Sequence, residues 1–517
     1  MMAVIKALAL TEVRLRMRRT STMVALLAVV ALSWLMIADP ASGSALIVVK
    51  STRVLYTSTA LAIGSATLGC LLFGLGGFYL VRGRMAEDIR SGAGGVIGAT
   101  PVGNAVFLLG RWLGAAAYLS AMIFAFMLTI MVLHAVRGDG PIEPLIYLKN
   151  YVLILLPLVI YTVSAAILFD SWSPLMGKGG DVLYFFLWAT QLGMIGATAE
   201  HGLVPLAELF DFNGMGASMV AVTYALGSSN VALGGGDFNA ALTPVRISDD
   251  LWQWPLILLR YASCVVALVP LALAIGLFHR FSPDRVKVTR ASKRRTPLEV
   301  VNRLFKPLSR SVAPLFTLAA RVGGVPGQVL GDVALTLAAA PFAIVALAGS
   351  ACAALVVPHA ALAPLTLGSV VFWGVLVSDL STRDFAADTE SLGGTVQGGA
   401  VTRFLRQYAA TVVLGLMFTG VELARYATSE PVRALALVTG VLSMAALASA
   451  FGRCSRTSRL FLALFLFWFY VSLNAPKLAL FDAVGFLGAA NAASMATWFT
   501  AGAAALAGAW YWNRRDV

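Results

Sequence analysis

The hydrocarbon core of a bilayer takes a helix of about 20 apolar residues, and this chain supplies such runs along nearly its whole length. They fall at about 22–38, 57–81, 105–135, 150–170, 182–199 and 254–278, then at about 339–357, 361–378, 407–424, 434–451, 458–473 and 486–512. The runs are continuous, whereas a membrane barrel would show alternating segments of about 10 residues. The expected fold class is therefore all-α: a polytopic membrane protein of about twelve transmembrane helices. Composition agrees, because only 12% of the 517 residues are charged, against about 25% in a soluble protein. Gly and Ala are frequent within the runs, and such small residues let helices approach closely in lipid.

A formal charge of +13 could indicate a nucleic-acid partner. Its placement argues against one. With both termini cytoplasmic and twelve spans, most of the 38 Lys and Arg fall on the cytoplasmic side, as the positive-inside rule requires. The four cysteines, Cys70, Cys264, Cys352 and Cys454, show no metal-ligand spacing and read as packing residues. The first run is expected to be a retained span, since its basic leader is long for a signal peptide.

One stretch, about 279–321, is basic and polar, with only Asp284 and Glu299 opposing its Lys and Arg. It reads as a cytoplasmic linker attracted to anionic lipid. The expected domains are 1–278, with six spans, the linker 279–321, and 322–517, with six more. Three collinear echoes relate the halves. "TEVRLRM" at 11–17 corresponds to "GDVALTL" at 331–337, matching Glu12 with Asp332. "GATPVGNAVFLLGR" at 98–111 aligns without a gap on "GGTVQGGAVTRFLR" at 393–406, matching Arg111 with Arg406. "LFDFNG" at 209–214 returns as "LFDAVG" at 480–485, matching Asp211 with Asp482 and Gly214 with Gly485. Because six is even, both copies start on the same side, which gives parallel repeats and a path between them.

The segment "KALALTEVRLRMRR" alternates apolar and basic positions ahead of the first span. As a helix it would lie at the interface, Leu and Val down and Arg14 and Arg16 reaching to phosphates. An ordinary basic flank would look the same. The loop at 82–104 and its counterpart at 381–399 are long, rich in glycine and acidic. They could present a short helix to a soluble partner, or be plain solvated connections. Arg111, Arg260 and Arg406 lie near span ends, where snorkelling is the simplest account.

An interfacial leading helix, two spans and a loop ending in "ATPVGNAVFLLGRWLG" together resemble the permease subunits of type-2 ABC exporters. The "LFDxxG" segment before the sixth span fits the same family. In the second half "TV" replaces "TP" and the outer loop is short, so the likeness is fainter there. The resemblance implies that the leading helices (Glu12, Arg14, Arg16; Asp332) and the loops contact a separate ATPase, in two copies. It places that coupling on Glu87, Asp88, Arg90, Thr100 and Pro101, and in the second half on Asp384, Asp388, Glu390 and Thr395. It further implies short, partly buried outer helices at about 200–252, including Asp211 and Gly214, and around Asp482 and Gly485. The implied location is a bacterial inner membrane, with a homodimer or an accessory extracytoplasmic protein as further partners.

No phosphate-binding G-x-x-x-x-G-K-[ST] occurs; "MGKGGD" at 176–181 lacks the first glycine and the hydroxyl. No cofactor is expected in this chain, ATP and Mg²⁺ belonging to the partner ATPase. His134, His201, His279 and His359 are scattered, and no catalytic motif appears, which leaves an intramembrane enzyme without support. An ion-coupled twelve-span secondary transporter would also explain six plus six spans. It would not explain the "ATPV" loop, the leading helix or the long outer loop. The acids of the two coupling loops are expected to be exposed, so that removing them changes stability little.

Overall fold

A backbone in lipid must satisfy its own hydrogen bonds, and each of the twelve apolar runs is folded as helix over most of its length. The computed structural model describes residues 1–201, 205–228, 230–279, 281, 302–387, 389–390, 399–475 and 478–515. Among these residues seven helices are long and apolar enough to cross a membrane, or eight if one bent pair counts as a span. The protein is thus a polytopic helical membrane protein. The chain divides into two units, Met1–Arg294 and Arg295–Val517.

The first unit begins with α1 (Met2–Met17) and α2 (Thr20–Met36). After two short strands come α3 (Ser58–Val81), α4 (Arg84–Arg90), α5 (Ala93–Ala99), α6 (Asn104–Arg137), α7 (Pro144–Ser171) and α8 (Lys178–His201). Two short helices follow, α9 (Pro205–Phe210) and α10 (Met215–Leu226), and then α11 (Trp254–Val266) and α12 (Val269–Leu277). The break between α11 and α12 precedes Pro270, which lacks the N–H that an uninterrupted helix would use.

Helix α3 is the unit's axis, most of its residues being buried. It can lie there because it is rich in glycine. A Cβ on Gly74 would sit 2.8 Å from the indole nitrogen of Trp188 on α8, closer than atoms pack. Tyr184, one turn from Trp188, stacks on Phe78 and donates its hydroxyl to the Gly74 carbonyl at 2.8 Å.

The helical fold carries one small addition. A small antiparallel sheet joins β1 (Ser44–Val49) to β2 (Thr52–Arg53) on one side and β3 (Val231–Asp237) on the other. Apolar and partly β-branched, "SALIVV" favours a strand, but a strand needs a partner, and that partner lies almost two hundred residues away in sequence. The connection between α6 and α7 reaches the same end, where Asp139 accepts the Tyr56 N–H at 3.0 Å and the Pro141 carbonyl accepts from Ser58 at 3.0 Å. At the opposite end α1, α4, the end of α3 and the α7–α8 connection meet. The connections therefore alternate between two ends of the unit.

The second unit contains α13 (Ala313–Val322), α14 (Gly324–Ala339), α15 (Phe342–Val356), α16 (Leu362–Val377) and the short α17 (Arg383–Ala386). It continues with α18 (Gly399–Ser429), α19 (Pro431–Ser455), α20 (Arg459–Asn474) and α21 (Ala492–Arg515). Helices α14 and α15 form the bent pair, turning by 101° at Ala340–Pro341. The end of the expected linker is helical, as α13; residues 280 and 282–301 of it lie outside the described residues.

Close helix approach predicts a measurable contrast between two glycines. A Cβ at Gly374 of α16 would lie 2.2 Å from the Phe465 ring, whereas Gly420 of α18 has open space. Gly374→Ala should destabilise the detergent-solubilised protein by about 1–3 kcal/mol through overpacking. Gly420→Ala should be neutral or stabilising by up to about 1 kcal/mol through helix propensity. Thermal unfolding of both variants checks this; equal midpoints would contradict the packing described.

Candidate coupling junctions and outer segments

Charges inside an apolar bundle must be paired or they are costly, and the first unit gathers a balanced set at one end. Five carboxylates, Glu12, Glu87, Asp88, Asp170 and Asp181, meet five guanidiniums, Arg16, Arg19, Arg82, Arg84 and Arg111. Arg16 pairs with Glu12 one turn earlier and donates to the Leu80 and Val81 carbonyls at 2.9 and 2.8 Å. It thereby satisfies carbonyls that the end of α3 leaves open and ties α1 to that end. Arg84 reaches Glu12 at 3.4 Å, Glu87 at 2.8 Å and Asp88 at 3.7 Å. Asp88 pairs in turn with Arg111 of α6. Arg82 binds Asp181 and lies 3.4 Å from Asp170, whose other oxygen accepts the Gly83 N–H at 2.7 Å. Helix α1 packs along α6, where Gly114 leaves room; a Cβ there would lie 2.6 Å from that of Glu12.

These positions correct three expectations. Arg16 does not reach to lipid phosphates: it is 4% exposed and wholly engaged inside the protein. Arg111 does not snorkel either, being buried against Asp88 and over the Phe107 ring. Asp88 is 3% exposed, not a free loop acid. Sequence spacing shows which residues are charged but not which way the loop folds, and here it folds inward as α4 and α5. Glu87 is half-buried, held by Arg19 and Arg84. Arg14, Arg90 and Pro101 are exposed, while the Thr100 hydroxyl turns back to the Ile97 carbonyl at 2.7 Å.

The second unit has a smaller junction built the same way. Asp332 of α14 pairs with Arg406 of α18 at 2.7 Å. Asp384 accepts from Gln407 at 3.1 Å and lies 3.7 Å from Arg403. Arg383 donates to Thr336 at 2.7 Å, so α14, α17 and α18 are joined. Glu390 binds Arg453 and lies 3.5 Å from Arg403. Burial alone would raise the Glu390 carboxyl, but Arg453, with Arg456 and Arg403, outweighs it and holds the group below its ordinary value. Arg406 is half-buried in its ion pair rather than extended to the interface. Asp388 and Thr395 lie outside the described residues. The sequence missed Arg82, Arg84, Asp181, Arg403 and Arg453; acids and bases set beside apolar runs were the available signal.

The repeated "LFDxxG" is one local device used twice. The Asp211 carboxylate accepts the Gly214 and Ala217 N–H groups at 2.9 and 3.0 Å. That of Asp482 accepts from Leu487, Ala489 and Ala490 at 2.9–3.1 Å. Each aspartate carbonyl also accepts the N–H of the glycine three residues on, and each glycine is left-handed, at φ +73° for Gly214 and +72° for Gly485. Glycine adopts that region without strain. Each also faces backbone: a Cβ on Gly214 would lie 2.8 Å from the Ile154 carbonyl of α7, and one on Gly485 3.0 Å from the Arg433 carbonyl of α19. Arg260 was expected to snorkel, yet it is buried beside Asp211, donating to the Leu153 and Ile154 carbonyls at 2.9 Å and to that of Asp211. Pro157 inside α7 explains the open carbonyl of Leu153, four residues before it.

No family model matches the chain, and neither does any curated protein or solved structure.

The junction separates residues that the sequence would treat alike. Asp88→Leu or Arg111→Leu alone strands a buried charge and should cost about 3–5 kcal/mol. The double variant should recover most of that loss, since neither charge is then left over. Glu87→Ala, at a half-exposed pair, should cost no more than about 1 kcal/mol. Unfolding midpoints and purified yield in detergent check the order; an additive double variant would contradict a buried pair.

Proposed function

We propose that this chain is the membrane-spanning permease of an ATP-driven exporter of the type-2 ABC kind, working with a separate ATPase. The observation that carries this reading is the ionic junction of α1, α4 and α6, which makes the leading helix and the segment after α3 into one body. A partner pressing on the exposed Arg90 or Pro101, or on the half-exposed Glu87, moves a unit tied directly to α3 and α6. Mechanical coupling requires such a connection, because a bound partner shifts an equilibrium only through contacts that differ between states. The junction at Asp332, Asp384 and Arg406 supports a second, smaller contact.

The two "LFDxxG" turns and the two junctions support a duplicated unit and, with it, twelve crossings arranged as two parallel sets of six. The alternation of connections in the first unit supports six crossings there, with both termini cytoplasmic and the sheet outside. Several of the helices do not meet the length and apolarity expected of a lone span; packing against longer neighbours would hold them in the bilayer.

One observation favours an ion-coupled transporter instead. Glu422 lies in a candidate span, fully buried, with one oxygen accepting from Ser369 at 2.9 Å, and intramembrane carboxylates commonly serve ion relays.

Reconstitution decides between them. The purified chain alone should hydrolyse no ATP and should capture a Walker-motif ATPase from its native membrane. Glu87→Ala with Arg90→Ala should lower that capture at unchanged yield. An outer-side thiol reagent should label a cysteine placed at Ser228 and spare one at Ser292. Transport driven by a proton gradient with no ATPase present would overturn the proposal.

A further inference from the structure

Glu208 sits at the end of α9 in the first unit with no exposed surface, and neither carboxyl oxygen meets a hydrogen-bond donor among the described residues. A buried polar atom left unpaired is costly, and an unpaired buried carboxylate is costlier still. Three residues on, Asp211 is buried too, but it is satisfied as a carboxylate by two backbone N–H groups, with Arg260 at 3.8 Å. Arg260 is the cation beside both acids, and its bonds go to Asp211 and to carbonyls of α7. Two carboxylates against one guanidinium leave one negative charge in excess. Asn213, two residues past Asp211, is 1% exposed and has both its side-chain oxygen and nitrogen unpartnered.

The groups around Glu208 can be named element by element. Its own segment supplies Asp211; α11 supplies Arg260, Cys264 and Ser263, whose hydroxyl donates to the Glu208 carbonyl at 3.0 Å. Cys70 of α3 lies beside Asp211 and Arg260. Helix α8 also packs on α9, and the side chains of its Glu200 and His201 lie outside the described residues. A monovalent cation at this place would face Arg260. A proton neutralises the excess charge without that repulsion and turns the carboxylate into a donor.

We propose that Glu208 is a proton-binding site: the packed outer segment holds this carboxyl in its neutral form at mildly acidic pH, and its ionisation at higher pH works against the contact between α9 and α11. The step is a simple protonation, water supplying or receiving the proton. Burial raises the Glu208 carboxyl to about 7, with Asp211 adding to the rise and Arg260 opposing it. A folded value above the unfolded one favours the folded state fully below the ordinary glutamate range. That advantage is lost as pH rises through about 7. The site does not depend on which energy source drives the protein.

The test uses the full chain in lipid nanodiscs, read by infrared absorption of the protonated-carboxyl stretch and by thermal unfolding between about pH 5 and pH 8. At about pH 6 the wild-type protein should show the stretch, and a Glu422→Gln variant, which removes a second buried glutamate, should keep a share of it that fades as pH rises to about 8. Glu208→Gln, which mimics the neutral acid in shape, should lose that share and flatten the fall of the unfolding midpoint with rising pH. His201→Gln should leave both unchanged. An absent stretch in Glu422→Gln overturns the proposal even if Glu208→Gln fails to fold. So does a pH response that disappears in His201→Gln instead, or a midpoint raised by sodium or potassium ions and not by protons.

Discussion

Arg16 holds the first unit together at its charged end. One guanidinium pairs with Glu12 on its own helix and takes the last carbonyls of α3. Those carbonyls would otherwise face an apolar interior without partners. Once α1 is fixed to α3, Glu12 is placed against Gly114 of α6 and within reach of Arg84. Arg84 orients α4, and α4 delivers Asp88 to Arg111. Each buried charge is tolerated because the next one neutralises it, so the buried members of the network depend on one another. The same dependence makes it suited to carry motion, since no member can shift without its partners.

The two ends of the first unit solve the same problem by different chemistry. At one end side-chain charges pair with one another. At the other, backbone supplies the partners: a three-stranded sheet, the Asp211 turn, and Arg260 on two carbonyls of α7, of which Pro157 frees that of Leu153. Glu208 is the exception there, a buried acid with no donor, which is why its protonation state matters more than that of any paired carboxylate nearby.

How far the candidate residues were legible varies with the kind of evidence each needs. Asp211 and Asp482 were visible as a repeated phrase because a turn is local: Asp, two residues and Gly suffice to build it. Glu12 with Asp332 and Arg111 with Arg406 were visible as matched positions, and each does sit in an ionic junction of its unit. Their partners were not visible. Asp88 reads as a loop acid in solvent until α4 turns it toward α6, and Arg260 reads as a snorkelling end until α7 offers it carbonyls. Glu208 drew no notice at all, because nothing in "AELF" announces that its carboxyl is buried with no donor among the described residues.

Sequence alone determined that this is a helical membrane protein and where its helices run, because the length and apolarity of a lipid-compatible helix are properties of a continuous stretch. It also showed the repeated phrase around Asp211 and Asp482, although the short helix expected around Asp482 and Gly485 is a turn. Tertiary structure decided which charges are buried, which oppose one another, and that β1 finds its partner in β3. Those outcomes depend on contacts between residues many tens of positions apart. Burial multiplies the strength of a charge interaction as the surrounding dielectric falls, and only the folded chain sets that surrounding.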